Sequence, residues 1–281
     1  MAEITAKQVK ELRDKTGAGM ADCKKALVEA NGNMDEAIDE LRKKGAASAA
    51  KRADKEANEG MVLALTTDNS KKGAIVQITC ETDFVARNEE FTDFVSELAE
   101  YYLNNNVTTK EELFASKAKS GSTFEDYHKD ILAKFSEKIE LGTLKKVDSQ
   151  GTVASYNHAG NKLGVLVEVN KESLTDDGSS VIRDVAMQIA AMNPVAVTRD
   201  QVDNSILEKE KEIYIQQAVQ DGTPDDIAEK VATGRVQKFY KENVLLEQVF
   251  VKDSSKTVKE IVQGIDPSAT VVSFERVSIG N

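Results

Sequence analysis

Two cysteines and two histidines are the residues best suited to nucleophilic or metal chemistry in this 281-residue sequence, and they lie far apart. A Cys–His catalytic pair would need Cys23 or Cys80 to meet His128 or His158, and no sequence motif links them. Neither cysteine belongs to a CxxC pair, so redox and zinc spacings are missing. The phosphate-cradling patterns GxxxxGK[ST] and GxGxxG are also missing. The sequence therefore predicts a protein that is not an enzyme and holds no metal and no cofactor.

The segment Thr82–Val85 is the one positive candidate for a functional site. It places the aromatic Phe84 beside the carboxylate of Asp83, in a predicted loop between a strand and a helix. An aromatic on a loop can wedge into a partner, and a carboxylate beside it can compete for a cation. The alternative, slightly favoured on the residues alone, is that Phe84 covers the core and Asp83 starts the next helix. His158, in a predicted turn, is either an ordinary surface residue or a partner contact.

The charge balance limits the partners. The chain has 37 basic and 48 acidic residues, a net charge of −11, which disfavours direct binding of nucleic acid. No stretch approaches the ~18 apolar residues of a membrane span, so we expect a cytoplasmic protein with no membrane contact. The segment 42–55 holds six cations and one anion. It is either a solvated tether or a contact for an acidic partner.

Three short helices are predicted at the start of the chain, before the Thr82–Val85 segment. A Thr5–Gln8 capping box opens the first, and apolar residues spaced i, i+3, i+4, i+7 mark the second and third. The breaks are Gly17–Gly19 and Asn31–Gly32. We therefore predict a three-helix module over 1–46 and a linker over 47–59.

The remainder predicts two related units of a β-hairpin and a helix. Shifting the sequence by 91 residues places Gly60 on Gly151 and superimposes two strands and a helix without a gap. This pattern predicts one subdomain over 60–146, with extra helical sequence at 110–140, and a second over 147–281. A strand over 270–278 would complete the second sheet. The Thr82–Val85 segment is not repeated: its counterpart is Ser173-Leu-Thr-Asp176.

Two helical stretches, 203–220 and 224–241, interrupt the second subdomain as a predicted antiparallel hairpin, here called the arm. We expect apolar residues of one helix to face those of the other: Ile206, Ile213, Ala218 and Val219 against Ile227, Val231, Val236 and Phe239. The sequence leaves open whether the arm also forms a homodimer.

Three ordered motifs resemble one known family. They are LRDKTGAGMADCKKAL at 12–27, CETDFVA at 80–86 and YNHAGNKLGVL at 156–166. On these motifs the whole chain resembles elongation factor Ts, the guanine-nucleotide exchange factor for elongation factor Tu. The resemblance implies an α+β fold with a ubiquitin-associated-like module, two related α+β subdomains and a coiled-coil insertion that corresponds to the arm.

The resemblance also implies roles for individual residues. Thr82, Asp83, Phe84 and Val85 match the motif that intrudes beside the partner's nucleotide site and displaces its magnesium ion. Leu12 and Met20 match contacts to the partner's nucleotide-binding domain, and His158 matches a histidine that faces the partner's other domains. The alternative function is a protein-binding adaptor that uses only the three-helix module.

Overall fold

The computed structural model describes residues 4–280, and its first three helices form a small bundle. They are α1 Ala6–Thr16, α2 Met20–Glu29 and α3 Met34–Lys51. Thr5 and Gln8 form the predicted capping box, and Gly17 ends α1 in the left-handed conformation with φ +66°. The bundle has its own core, in which Leu12, Cys23 and Leu27 are fully buried.

The first unit is a three-stranded antiparallel sheet with four helices. The strands pair in the order β1-β2-β3, with β1 Glu59–Thr66, β2 Lys72–Cys80 and β3 Ile139–Asp148. Between β2 and β3 lie α4 Asp83–Ala86, α5 Glu89–Asn104, α6 Lys110–Ala115 and α7 Phe124–Phe135. The predicted helical stretch up to residue 140 is wrong at its end, because β3 begins at Ile139. Pairing with β2 overrides the helical pattern there.

The second unit has the same sheet plan. Its strands pair in the order β4-β5-β8, with β4 Thr152–Asn157, β5 Leu163–Val169 and β8 Val271–Ser278. Helix α8, Asp176–Met192, follows β5 as α5 follows β2. The remaining elements, which separate α8 from β8, are α9 Asn204–Gln220, α10 Asp225–Asn243, β6 Val249–Phe250, β7 Asp253–Thr257 and α11 Val258–Gln263. The repeat predicted from the sequence is therefore present in the fold.

Glycines at the 91-residue offset explain part of this repeat. A Cβ added to Gly60 would lie 2.1 Å from the carbonyl oxygen of Ile78, and one added to Gly151 would lie 1.9 Å from that of Val169. Ile78 and Val169 are themselves 91 residues apart. In each unit the glycine at or just before the start of the first strand thus lies against the same point of the second strand, where only glycine fits.

The two sheets pack face to face between two helical layers. Alternate residues along each strand point to opposite faces. One face of each sheet meets the other sheet, and this shared core contains Val62, Ile75, Val153 and Leu166. The opposite faces are covered by α5 in the first unit and by α8 in the second.

The N-terminal bundle is docked on the first unit. Helix α3 packs along α7, and a Cβ on Gly45 would lie 2.5 Å from the backbone of Ala133. Arg42 donates hydrogen bonds of 2.5 and 2.8 Å to the Asp130 carboxylate. The predicted linker therefore begins inside α3, which continues to Lys51, and a fully solvated tether is the wrong interpretation of this basic segment.

The arm is the predicted antiparallel pair, α9 and α10, but its packing differs from the prediction. Val219 and Ile227 are exposed near the tip, whereas Ala218, Ala228 and Ala232 are buried. Ala218 and Phe239 are buried as predicted, whereas Ala228 and Ala232, which were not predicted, take the buried positions expected of larger aliphatic residues. Small residues at these positions let the two helices approach closely.

Candidate functional site

The Thr82–Val85 segment forms the first turn of the short helix α4. Thr82 is its N-cap, and the Thr82 hydroxyl accepts a 3.5 Å hydrogen bond from the Val85 amide. Val85 is buried, while Phe84 is 85% exposed. The expectation that Phe84 covers the core is therefore wrong. Asp83 does begin the helix, and its carboxylate lies 3.3 Å from the Arg87 guanidinium at the surface.

A carboxylate from a distant part of the chain holds this turn. Thr82 donates from its amide to Glu137 Oε2 at 3.2 Å and from its hydroxyl to Glu137 Oε1 at 2.9 Å. Glu137 belongs to the short link between α7 and β3. Together with the local cap, these bonds fix the residue that precedes Asp83 and Phe84.

The residue before the turn is held by a second carboxylate contact. Arg52, just after α3, donates hydrogen bonds of 2.6 and 2.5 Å to the Glu81 carboxylate. The Lys138 amide donates to the same carboxylate at 2.7 Å. The Arg52 hydrogen bonds, with help from that amide, lower the pKa of Glu81 to about 2. The chain on the N-terminal side of Phe84 is therefore tied to both the N-terminal bundle and the α7–β3 link.

The cysteines and histidines do not form a reactive group. Cys80 is buried beside the turn, and burial raises the pKa of its thiol to about 12. Burial also raises the pKa of the Cys23 thiol in the N-terminal bundle. His128 packs between the rings of Phe94 and Phe114. Within residues 4–280 no group of His, Cys, Asp and Glu has a metal-binding arrangement. Over the same residues, no helix has the length and apolar character to cross a membrane.

The two N-terminal residues implied by the resemblance differ in their surroundings. Met20 is 47% exposed and borders a shallow groove of about 460 Å³ on the bundle, lined by Ile4, Ala6, Val9, Met20, Ala21 and Lys24. Leu12 is 0% exposed and belongs to the bundle core. The side chain of Leu12 is enclosed by the three helices that it holds together, so in this structure it supports the bundle surface that carries Met20.

His158 is exposed in the β4–β5 turn of the second unit. Its Nδ1 lies 2.9 Å from the Tyr156 hydroxyl. This turn is fixed to the first unit, since the Asn157 side chain both accepts from the Ala64 amide at 2.7 Å and donates to the Ala64 carbonyl at 2.8 Å. His158 thus lies on a rigid turn in one unit, whereas Phe84 lies on the other and Met20 on the N-terminal bundle.

The counterparts of Asp83 and Phe84 in the second unit have structural roles. At the 91-residue offset these are Leu174 and Thr175. Thr175 caps α8 by accepting a 3.1 Å hydrogen bond from the Gly178 amide, and Leu174 packs partly buried against the second core. Only the first unit therefore presents an exposed aromatic after its second strand.

Three residues at these sites were not predicted: Arg52, Glu137 and Asn157. Arg52 belongs to the basic segment 42–55, and nothing in the sequence pairs it with Glu81. Glu137 is 55 positions from Thr82, and this contact depends on how the α7–β3 link folds back. Asn157 lies in a recognised motif, but its bonds to β1 depend on the packing of the two sheets.

Known proteins align with this sequence over nearly its whole length. A family model described as "Elongation factor TS" matches residues 81–281. Elongation factor Ts of Chloroherpeton thalassium is 49% identical over 267 residues, which cover 94% of this chain and 92% of that protein. Elongation factor Ts of Chlorobaculum parvum is 46% identical over 288 aligned positions, which cover the full length of both chains. That of Clostridium perfringens strain 13 is 44% identical over 282 residues, covering 99% of this chain and 93% of the relative.

Proposed function

Because this chain belongs to the elongation factor Ts family and is a translation elongation factor, we propose that it binds elongation factor Tu·GDP and promotes release of the GDP. GTP then rebinds to the emptied site. The observation that carries the proposal is Phe84, 85% exposed on a turn that is anchored at Thr82. A large aromatic side chain this exposed adds little to the packing of the fold, but it is suited to insertion into a partner.

The chemistry of the turn fits displacement of a bound magnesium ion. Phe84 acts as a wedge that shifts groups of the partner around its nucleotide. The Asp83 carboxylate, beside it, competes for the cation or for the donors that bind phosphate. Without the ion, the phosphates of GDP lose their main counter-charge, and the nucleotide leaves faster.

The energy needed exceeds what two side chains supply. A nanomolar nucleotide complex corresponds to about −12 kcal/mol. Speeding release about 10⁴-fold needs about 5.5 kcal/mol of preference for the nucleotide-poor state. An interface residue at the hot-spot threshold contributes about 2 kcal/mol, so two such residues supply about 4 kcal/mol. The wider interface must therefore supply binding energy, which the turn directs at the magnesium site.

Two further exposed features supply that wider interface in this proposal. Met20 and its groove offer apolar contact area on the N-terminal bundle. His158, on the rigid β4–β5 turn, offers a polar contact from the second unit. Coupling between sites is reciprocal, so GDP with magnesium must weaken the hold of this protein on elongation factor Tu by the same factor.

The test is release of labelled GDP from elongation factor Tu, with and without this protein, in millimolar magnesium. We expect strong acceleration by the wild type. Binding to elongation factor Tu with no change in the release rate would contradict exchange activity and favour the adaptor function. No binding at all would contradict both.

A further inference from the structure

We propose that Glu137 is the residue that positions the Asp83–Phe84 pair for exchange, an inference that rests on the proposed function. Glu137 does not itself meet the partner's nucleotide in this account. It acts by holding Thr82, so that the next two side chains point outward in a fixed direction.

The turn itself is too short to set that direction. Helix α4 has four residues, and helices of this length are not stable on their own. Its local bonds include the 3.5 Å cap from the Val85 amide to Thr82, a 3.2 Å bond from the Ala86 amide to the Thr82 carbonyl and a 3.1 Å bond from the Arg87 amide to the Asp83 carbonyl. From outside the turn, Val85 packs into the first core, and Thr82 donates bonds of 3.2 and 2.9 Å to Glu137. The Glu137 bonds are the polar restraint on the residue that directly precedes Asp83.

Glu137 is well placed for this task because its own backbone is fixed. The next residue, Lys138, donates its amide to Glu81 at 2.7 Å and its side-chain ammonium to the Ala53 carbonyl at 2.7 Å. Arg52 holds Glu81 from the other side. The carboxylate of Glu137 thus approaches Thr82 from a segment whose next residue, Lys138, is tied to Glu81 and Ala53.

An ordinary helix cap does not explain the contact. The N-cap Thr257 of α11 has a similar arrangement, in which its amide and hydroxyl donate to Glu260 at 2.7 and 2.9 Å, but Glu260 is only three residues away in the same helix. In the second unit, Thr175 caps α8 without a carboxylate from elsewhere. The offset counterpart of Glu137 is Ala228, in the arm. Thr82 therefore differs from these two caps, because its carboxylate partner, Glu137, lies 55 positions away in the sequence. This contact occurs at the turn that carries the exposed Phe84.

The experiment measures stimulated release of labelled GDP from elongation factor Tu in millimolar magnesium, at saturating concentrations of each variant. Glu137→Ala should slow release about tenfold, while the Kd for elongation factor Tu rises less than about threefold. Glu260→Ala is the matched control, because it removes the same type of bonds from another threonine cap; its release rate should equal that of the wild type. Glu137→Gln keeps one acceptor oxygen for Thr82 and should recover part of the loss.

A double-mutant cycle separates positioning from general stability. In an Asp83→Ala plus Phe84→Ala background, Glu137→Ala should cause no further slowing, because both side chains that it positions are already gone. Thermal unfolding shows whether each variant folds; if Glu137→Ala does not, Glu137→Gln serves in the same cycle with an expected loss of about threefold. Wild-type release by the folded Glu137 variant, or fully additive losses in the cycle, would overturn the role of Glu137 alone. Wild-type release by Phe84→Ala would instead overturn the proposed function.

Discussion

The two units share a fold plan but use the same loop position for different purposes. After the second strand, the first unit exposes Phe84 at 85%, whereas the second unit uses Thr175 to cap α8. Each unit also inserts sequence between its helix and its third strand. The first insertion supplies α7 and Glu137, which hold the N-terminal bundle and the turn; the second supplies the arm. The repeat therefore builds the frame, and the unrepeated parts determine what each unit can contact.

The largest expected effect tests whether the two sheets are built alike. Gly60→Ala and Gly151→Ala each bring a Cβ to about 2 Å from a carbonyl oxygen of the neighbouring strand. Backbone must move in both, so each should lower the free energy of unfolding by about 3 kcal/mol. Chemical denaturation of both variants checks this. If one glycine tolerates alanine and the other does not, the close approaches of the two glycines to the neighbouring strands are not equivalent.

The next effect tests docking of the N-terminal bundle, which only the first unit supports. Gly45→Ala should force α3 away from α7, since its Cβ would lie 2.5 Å from the Ala133 backbone, and should cost about 2 kcal/mol. Gly234→Ala is the control: this glycine lies within α10 with no atom within 4 Å of its Cβ, so alanine should stabilise the protein by up to about 1 kcal/mol. Urea denaturation measures both. Equal changes in the two variants would argue against tight docking.

A smaller effect is expected from shortening the arm. Replacing residues 216–230 by a short Gly-Ser loop removes the tip but keeps the base, where Phe239 and Val244 pack against Ala196 and Val202. We expect one cooperative thermal transition with little change in Tm, because the paired sheets keep their core. Broad or non-cooperative unfolding would show that the second unit needs its whole insertion, unlike the frame that it shares with the first.

The smallest effect is a pH dependence contributed by the first unit. Burial lowers the pKa of His128 below its usual 6.5. As the pH falls through about 6.5, His128 is protonated in the unfolded chain but stays neutral in the folded protein. This contribution to the free energy of unfolding is therefore present above that pH and is lost below it. His128→Phe should flatten the change in Tm between pH 7.5 and 5.5. Tyr127→Phe, which alters the neighbouring ring, should keep the wild-type slope; the same flattening there would rule out His128 as the cause.

Local pattern predicted much of the fold. The capping box at Thr5 begins α1 as expected, and Gly17 ends it as expected. The 91-residue offset also predicted the repeat, since hydrophobic periodicity follows sheet and helix faces. Strand β3 was not predicted: the helical stretch 110–140 overlaps its first two residues, no element was predicted for the rest, and pairing with β2 defines the strand.

The candidate site was only partly predictable for a related reason. The chemical character of Asp83 and Phe84 is visible in the sequence, but the exposure of Phe84 depends on tertiary packing. The bonds from Glu137 to Thr82 and from Arg52 to Glu81 join positions 55 and 29 residues apart. Sequence spacing carries no signal for such contacts. Leu12 is a motif position whose side chain fills the bundle core, and the resemblance alone does not show that burial.

The most direct test of the central claim compares the wild type with Asp83→Ala plus Phe84→Ala in stimulated release of fluorescent GDP from elongation factor Tu. In millimolar magnesium the double variant should release GDP about 50-fold more slowly, with little change in Tm, because Phe84 is 85% exposed and Asp83 pairs with Arg87 at the surface. In excess EDTA the gap should shrink to about threefold or less, since no ion remains to be displaced. A folded double variant that matches the wild type in magnesium would contradict the account.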